Sequence, residues 1–302
     1  MEYIVGGYTM VSDVYFKDGS VFKADAGGSA YSVGGIKLWR DSLAYVGTAG
    51  KDFEEFFGQY YSNNDISLFI DKKLDKTLYY VLHYAEDGSW SEECKYGEAY
   101  ERLSIAEAGL TPEMFKAPCG EDTKGIYIEA ALNTKIVHRF VELKSYAPNA
   151  KLMWEIEGSD LYDPEKRGEI LSLIPSADCY SMNVNEGKAF FDTKSEERVI
   201  KEIRDIDRTC FLRAGEKGAY WIEKQEVTFV PSFGVEDSVD ATGCGNASTA
   251  AALIGYAEGL SPKVTVAMAN ISAYFTSRQH GVYPVNDADA RKKAYEMLNK
   301  CL

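Results

Sequence analysis

Histidine is scarce in this 302-residue chain: His83, His138 and His280 stand far apart, too dispersed for a histidine-rich metal cluster. Cysteine is sparse as well. Cys94, Cys119, Cys179, Cys210, Cys244 and Cys301 contain no C-x-x-C pair and no metal-ligand spacing, and six in 302 residues do not make a disulfide scaffold. No run of about 18 apolar residues occurs, so no membrane-spanning helix is expected. The opening "MEYIVGGYTM" lacks the basic stretch and apolar core of a secretory leader. Positive charge is in deficit: 33 Lys and Arg face 47 Asp and Glu, a formal net charge of −14. Nucleic acid and anionic membrane both demand a basic footprint, and neither is the expected partner. A small anion held by local backbone N–H groups escapes that argument. The expectation is a reduced, cytoplasmic, soluble protein.

The composition, 45% hydrophobic and 26% charged, is that of a globular chain long enough for one large core and a small appendage. No internal repeat, low-complexity segment or long linker interrupts it. In the first part, "EYIVGG" and "LAYVGTAG" read as strands, and "VYFKDGSVFKA" as a hairpin turning at Asp18-Gly19. "SAYSVGGIKLW", after Gly27-Gly28, reads as a small-residue helix. "ISLFIDKKLDKTLYYVLHYAEDGSW" alternates like two antiparallel strands, with a second turn at Asp87-Gly88. Roughly residues 8–26 and 66–98 should therefore form a small β-rich lid on a single domain spanning 1–302.

From about residue 123 the rhythm becomes βαβα. "GIYIEAAL", "KLMWEIE" and "ADCYSMNVN" are strands. "TKIVHRFVELKSYA", "DPEKRGEILSLI" and "SEERVIKEIRDI" are helices, the second with Asp163 as N-cap and Pro164 at its first position. "CFLRAGEKGAYWI" is strand, glycine turn, strand. The fold class predicted is α/β: a mainly parallel sheet covered on both faces in three α/β/α layers, with chemistry at the carboxyl ends of the strands.

The stretch "SVDATGCGNASTAAALIGY", Ser238 to Tyr256, draws most notice. Gly243 and Gly245 permit backbone angles that other residues resist. Successive N–H groups in such a turn form a concave nest, and the helix behind adds its positive end. That suits a phosphate. It equally suits a corner whose small residues let a helix pack close to a sheet. The spacing fits neither the P-loop nor the dinucleotide fingerprint. No G-x-G-x-x-G follows the first strand, which sets a Rossmann-type dehydrogenase aside. Cys244 reads as a small packed residue, with a reactive thiol at a helix start as the lesser alternative. Asp52 reads as an N-cap for the helix from Phe53, and His280 as a helix-end residue.

Three further pieces stand in order with this motif: Gly27-Gly28 before a helix, Asn183 to Glu186 at a strand end, and "RAGEKG" about 25 residues before the motif. Together they resemble the ribokinase-like (PfkB) family of carbohydrate and nucleoside kinases, over nearly the whole chain. In that family a D-T-x-G-A-G-D segment forms the anion hole and ends in the catalytic base. Asp240-Ala241-Thr242-Gly243-Cys244-Gly245-Asn246 matches it except at Ala241, Cys244 and Asn246. The resemblance implies an anion hole of Gly243, Cys244 and Gly245, with Asn246 at the base position. It implies ATP contacts from Arg213 (where threonine is usual), Gly215, Gly218, Thr242, Asn270 and Gly281. Asn183 and Glu186 match the N-x-x-E that organises Mg²⁺ through water. The sugar end departs further. Val11 stands at the family's Asp position with Asp13 two residues on, and no asparagine occurs from Gly27 to Leu38. Asp13, Gly27, Gly28 and Ser32 are the nearest substrate contacts, with Ser29 as a further polar substitute. The lid doubles as a dimer surface in some relatives, so the resemblance implies a homodimer through the lid.

An amide at position 246 can orient an acceptor hydroxyl but cannot take its proton, and a general base contributes on the order of 10²–10⁴-fold. Asp240, six residues earlier, matches a family residue that is not the base. Two expectations follow: an ATP- and Mg²⁺-dependent kinase of a sugar or polyol with altered base chemistry, or a weak or inactive relative that binds nucleotide or sugar as a sensor or interaction module.

Overall fold

Short apolar runs bounded by turns make the strands, and the computed structural model describes residues 1–85 and 90–301. The strands are β1 (Tyr3–Gly6), β2 (Thr9–Tyr15), β3 (Val21–Gly28), β4 (Leu43–Gly50), β5 (Ser67–Leu74), β6 (Leu78–Tyr84), β7 (Trp90–Cys94), β8 (Gly125–Ala130), β9 (Lys151–Ile156), β10 (Cys179–Asn183), β11 (Thr209–Arg213), β12 (Gly218–Ile222) and β13 (Val227–Pro231). The helices are α1 (Ser29–Lys37), α2 (Phe53–Asn63), α3 (Glu98–Ala108), α4 (Phe140–Tyr146), α5 (Gly158–Leu161), α6 (Arg167–Leu173), α7 (Val184–Phe190), α8 (Glu196–Ile206), α9 (Cys244–Ala257), α10 (Pro262–Ser277) and α11 (Ala288–Cys301).

Among the described residues the strands form two sheets. The larger is nine-stranded, in the order β13-β12-β11-β10-β9-β8-β1-β4-β5, and the smaller is β3-β2-β6-β7. In the large sheet β5, β4, β1, β8, β9, β10 and β11 run parallel, and β12 and β13 add antiparallel at one edge. Parallel strands need both faces covered, which explains their unbroken apolar runs. On one face Val5, Tyr127, Met153 and Phe211 join a core with residues of α1, α2, α9, α10 and α11. On the other, Ile4, Ile128, Trp154 and Leu212 pack with residues of α4, α6, α7 and α8. This is the three-layer α/β/α arrangement the sequence predicts. No helix among the described residues is long and apolar enough to cross a membrane.

Helix α9 has no polar face because it is buried from Ala247 to Gly255, between the sheet and its neighbouring helices. Its small residues set the spacing. A Cβ at Gly35 of α1 would run into the Ala247 backbone, and one at Gly255 into Thr265 of α10.

The hairpin at Asp18-Gly19 forms: β2 pairs antiparallel with β3, and Gly19 takes the positive φ of +83° that the turn requires. Four local expectations need correction. Residues 67–74 do not belong to the small sheet; β5 pairs parallel with β4 at the edge of the large one. The small sheet therefore draws on residues 9–28 and 78–94, and the turn expected at Asp87-Gly88 lies outside the described residues. Asp163 does not cap an α-helix. Its side chain accepts from Glu165 N (3.0 Å) in a local turn, Lys166 is drawn back to Asp160 (2.8 Å), and α6 starts only at Arg167. The helix expected from Thr134 opens with a 3₁₀ turn, Val137–Arg139, before α4. Asp52 stands at the N-cap position of α2, but its carboxylate binds Thr77 N (2.8 Å) and Oγ1 (2.7 Å) and so ties α2 to the start of β6.

Candidate active site

Side chains alternate across a strand, so every second residue of four neighbouring parallel strands faces α1 and α9. Tyr127 and Glu129 of β8 lie in register with Met153 and Glu155 of β9, Ser181 of β10 is paired with Glu155, and Asn183 is paired with Arg213 of β11. Tyr127, Met153 and Phe211 fill the core beneath. The next residue on that face of each strand is Glu129, Glu155, Asn183 or Arg213, at the carboxyl end where open α/β sheets bind ligands.

Helix α9 begins at the same end. Gly243 is its N-cap, at φ 75° and ψ −4°, and a Cβ there would strike the Tyr31 ring. At Gly245 a Cβ would strike the Arg213 guanidinium. Gly243 is thus required by backbone angle, while a side chain at position 245 would have to displace the Arg213 guanidinium. The first turn of any helix leaves N–H groups without intrahelical acceptors; here Cys244 N donates back to Ala241 O (3.2 Å) across the turn. Thr242 N donates to Asp240 (2.9 Å), which steadies the turn. Cys244 is packed, with its thiol directed at Ala273 O (3.4 Å). Burial, reinforced by Asp240, pushes that thiol up to about 12. Burial outweighs the helix end and disfavours the thiolate.

Asn246, in the first turn of α9, donates from Nδ2 to Glu129 Oε1 (2.8 Å), and Ser29 Oγ of α1 donates to the other carboxylate oxygen (2.9 Å). Burial, with Glu155 and Glu157 next in weight, raises the Glu129 carboxyl to about 8, against the lowering effect of those two hydrogen bonds. Glu157 rises to about 7 through burial and then Glu92, Asp160 and Glu186. Arg213 stands among these acids, 2.9 Å from Glu155 and 3.6 Å from Glu186. Burial disfavours its charge, but the two carboxylates outweigh that and hold it protonated. Tyr127 donates to the second Glu155 oxygen (2.5 Å). Glu129 also borders a narrow cleft shared with Gly7, Tyr8, Thr9, Leu78 and Thr134, between the small sheet and the ends of β1 and β4.

The small sheet touches the motif directly. Tyr84 OH lies 3.0 Å from Thr242 Oγ1. His280, beyond α10, packs its ring against Phe16 (4.8 Å) and Phe22 (5.5 Å) and sits 3.6 Å from Asp240.

Several residues expected at the site have partners or turn roles within the fold itself. Asp13 is held within the small sheet by Tyr79 OH (2.7 Å) and Lys95 (3.5 Å). Ser32 is fully buried and reaches neither Glu129 nor Asn246; Ser29, one turn earlier, makes the contact. Asn270 is buried, and its amide clips α10 to Val230 O (2.9 Å) and Pro231 O (3.0 Å) of β13. Arg213 turns into the carboxylates, while Gly215 (φ +60°) and Gly218 (φ +139°) shape the turn between β11 and β12. Gly281 (φ +73°) follows His280, and Gly27-Gly28 leads into α1, with Gly28 (φ +59°) pressed against Tyr8 O. The residues that reading along the chain passed over are Glu129, Glu155 and Glu157. Their one signal is a glutamate at the end of two neighbouring predicted strands, in "GIYIEAAL" and "KLMWEIE".

Asn183 and Glu186 form a capping box on α7. Asn183 Oδ1 accepts from Asn185 N and Glu186 N (2.9 Å each), and Glu186 Oε2 accepts from Asn183 N (2.6 Å). No group of three acidic, histidine or cysteine side chains among the described residues is arranged to hold a metal directly. The arrangement does fit a hydrated Mg²⁺. Burial raises the Glu186 carboxyl, Arg213 only partly offsets it, and a divalent cation that keeps its waters needs few direct ligands.

A parallel sheet between two helical layers, with a glycine-lined helix start and carboxylates at the strand ends, is the arrangement in which α/β proteins bind ligands beyond the strand ends. Residues 123–289 match the pfkB family carbohydrate kinase, more than half of the chain, and this protein belongs to that family. Among solved structures, the adenosine kinase from Sinorhizobium meliloti aligns with a TM-score of 0.78 at 18% identity, covering 98% of each chain. The nucleoside kinase of Methanocaldococcus jannaschii, an archaeal member of the ribokinase family, aligns at 0.71 and 19%, covering 99% of each. Arabidopsis thaliana ribokinase, complexed with ribose and ATP, aligns at 0.71 and 15%, covering 98% of each. At these identities the likeness is one of fold. No curated protein matches the chain.

Proposed function

We propose that this chain transfers the terminal phosphoryl group of ATP, with Mg²⁺, to a hydroxyl of a sugar or related polyol. The observation that carries this reading is the start of α9, where the Gly243-Cys244-Gly245 turn opens beside Asn246 and Glu129 at the strand ends. Phosphoryl transfer has a loose transition state, so positioning and charge neutralisation supply most of the rate. The N–H groups of Gly243, Cys244 and Gly245 meet the charge on the transferring group. Gly215, Gly218 and Gly281 shape the loops that flank the nucleotide, with Thr242 at its phosphate end. Mg²⁺, when bound, would neutralise charge on the phosphates, and Asn183 and Glu186 would hold its waters. The acceptor lies along Gly27-Gly28 and Glu129, beneath the small sheet acting as a lid. Its place of work is the cytoplasm.

The opposite reading, a binding module without turnover, draws on Asn246. The carboxylate of Glu129 within one hydrogen bond of that amide favours a working enzyme. Purified protein with ATP and Mg²⁺ should release ADP in the presence of at least one member of a panel of pentoses, hexoses, polyols and nucleosides. ADP release that never depends on the acceptor would sink the kinase reading.

A further inference from the structure

Resting on that kinase reading, we propose that Glu129 is the general base for the acceptor hydroxyl, supplied from the end of β8 in place of a carboxylate on α9. Asn246 has no lone pair basic enough to take a proton. Glu129 Oε1 lies 2.8 Å from Asn246 Nδ2, so a hydroxyl that meets the amide also meets the carboxylate. The carboxylate is fixed from two helices, one oxygen held by Asn246 and the other by Ser29. Each oxygen keeps lone-pair capacity beyond its one bond. Gly7 presents no side chain at this point; a Cβ there would run into Ser29 Oγ and press Glu129 Cβ at 3.2 Å. Glu129 retains partial exposure and lines the cleft beneath the small sheet.

The charged and titratable groups that act on it are Glu155 and Glu157 of β9 and its end, Arg213 of β11, Tyr127 of β8, Tyr45 of β4 and Tyr8. The acids dominate after burial, and the carboxyl at about 8 is poised near neutral pH, where a base of matched strength is most effective. In the step, the acceptor O–H proton passes to Glu129 as the new O–P bond forms. The bond from the terminal phosphorus to its bridging oxygen breaks, and that electron pair leaves with ADP. Asn246 keeps the acceptor oxygen and the carboxylate in line.

The test uses four full-length chains: the parent, Glu129→Gln, Asn246→Asp, and the variant carrying both. Each is given ATP, Mg²⁺ and the panel of acceptors, with kcat and KM followed from about pH 6 to about pH 9.5. The expected result is a loss of about 10²–10⁴-fold in kcat for Glu129→Gln. Its acceptor KM should stay within about threefold, and the parental rise in rate toward about pH 8 should vanish. The doubly substituted chain should recover much of the loss, because amide and carboxylate have exchanged places across one hydrogen bond. Parental kcat in Glu129→Gln overturns the proposal and leaves the kinase reading intact. A loss equal at every pH and not recovered by the exchange also overturns it, since that pattern marks a structural role. Turnover by Asn246→Asp but not by the parent overturns it too, leaving a kinase site that lacks its base. If none of the four turns over any acceptor, the proposal and the kinase reading fall together.

Discussion

At the scale of single residues, Glu129 links chemistry to stability. Its carboxyl rises from an ordinary 4.5 to about 8 on folding, through burial and then Glu155 and Glu157. Between those values the native state binds more protons than the unfolded chain, so its contribution to stability falls as pH rises through that window. Glu129→Gln removes this contribution and keeps the shape. The variant should melt with the parent at about pH 5 and above it by several degrees at about pH 9, on the order of 2–5 °C by circular dichroism. Equal melting at both ends would show that Glu129 is not strained. The motif at Gly243, Gly245 and Asn246 was legible in the sequence because its meaning is local: adjacent residues make the turn. Glu129 was not, because its meaning depends on register with β9 and on a helix 117 residues away. The internal partners of Asp13 and Asn270 were hidden for the same reason. Polar residues of site-like type were claimed by distant packing partners, Tyr79 and Lys95 for one and the β13 carbonyls for the other.

At the scale of elements, the approach of α1 to α9 sets where the start of α9 lies. Gly35 sits against the backbone of Ala247, one residue after Asn246, and a backbone atom cannot step aside as a flexible side chain can. Gly35→Ala should therefore cost about 1–3 kcal/mol in urea denaturation. Gly168→Ala in α6, with open space around it, should be neutral or stabilise by up to about 1 kcal/mol. Equal effects at the two sites would mean that helix propensity alone, and not the close approach, governs Gly35. Most strands and helices were readable from their periods. The failures fell where a tertiary partner captured a local signal. Asp52 was drawn to Thr77, and β5 was drawn to the edge of the large sheet although its alternation resembled that of β6.

At the scale of the whole molecule, the small sheet meets the site through Tyr84 and Thr242 and through the rings of Phe16, Phe22 and His280. If that contact latches a lid, Tyr84→Phe should weaken it by about 1 kcal/mol, the net value of one hydrogen bond. Amide hydrogen exchange in β2 and β6 should then quicken by about fivefold, with β8 to β11 unchanged. Unchanged exchange in the small sheet would mean that Tyr84 is a bystander. The layering of the large sheet was legible because alternating strands and helices admit few arrangements. The strand order was not, since nothing in "EYIVGG" says that β1 pairs with both β4 and β8.

That order bears on how the molecule is made. From β8 to β13 each strand joins the sheet beside the one before it. Each of these strands thus has a sheet neighbour that was synthesised before it. Helix α9 follows all of them, so Asn246 can meet Glu129 only after every parallel strand has been made.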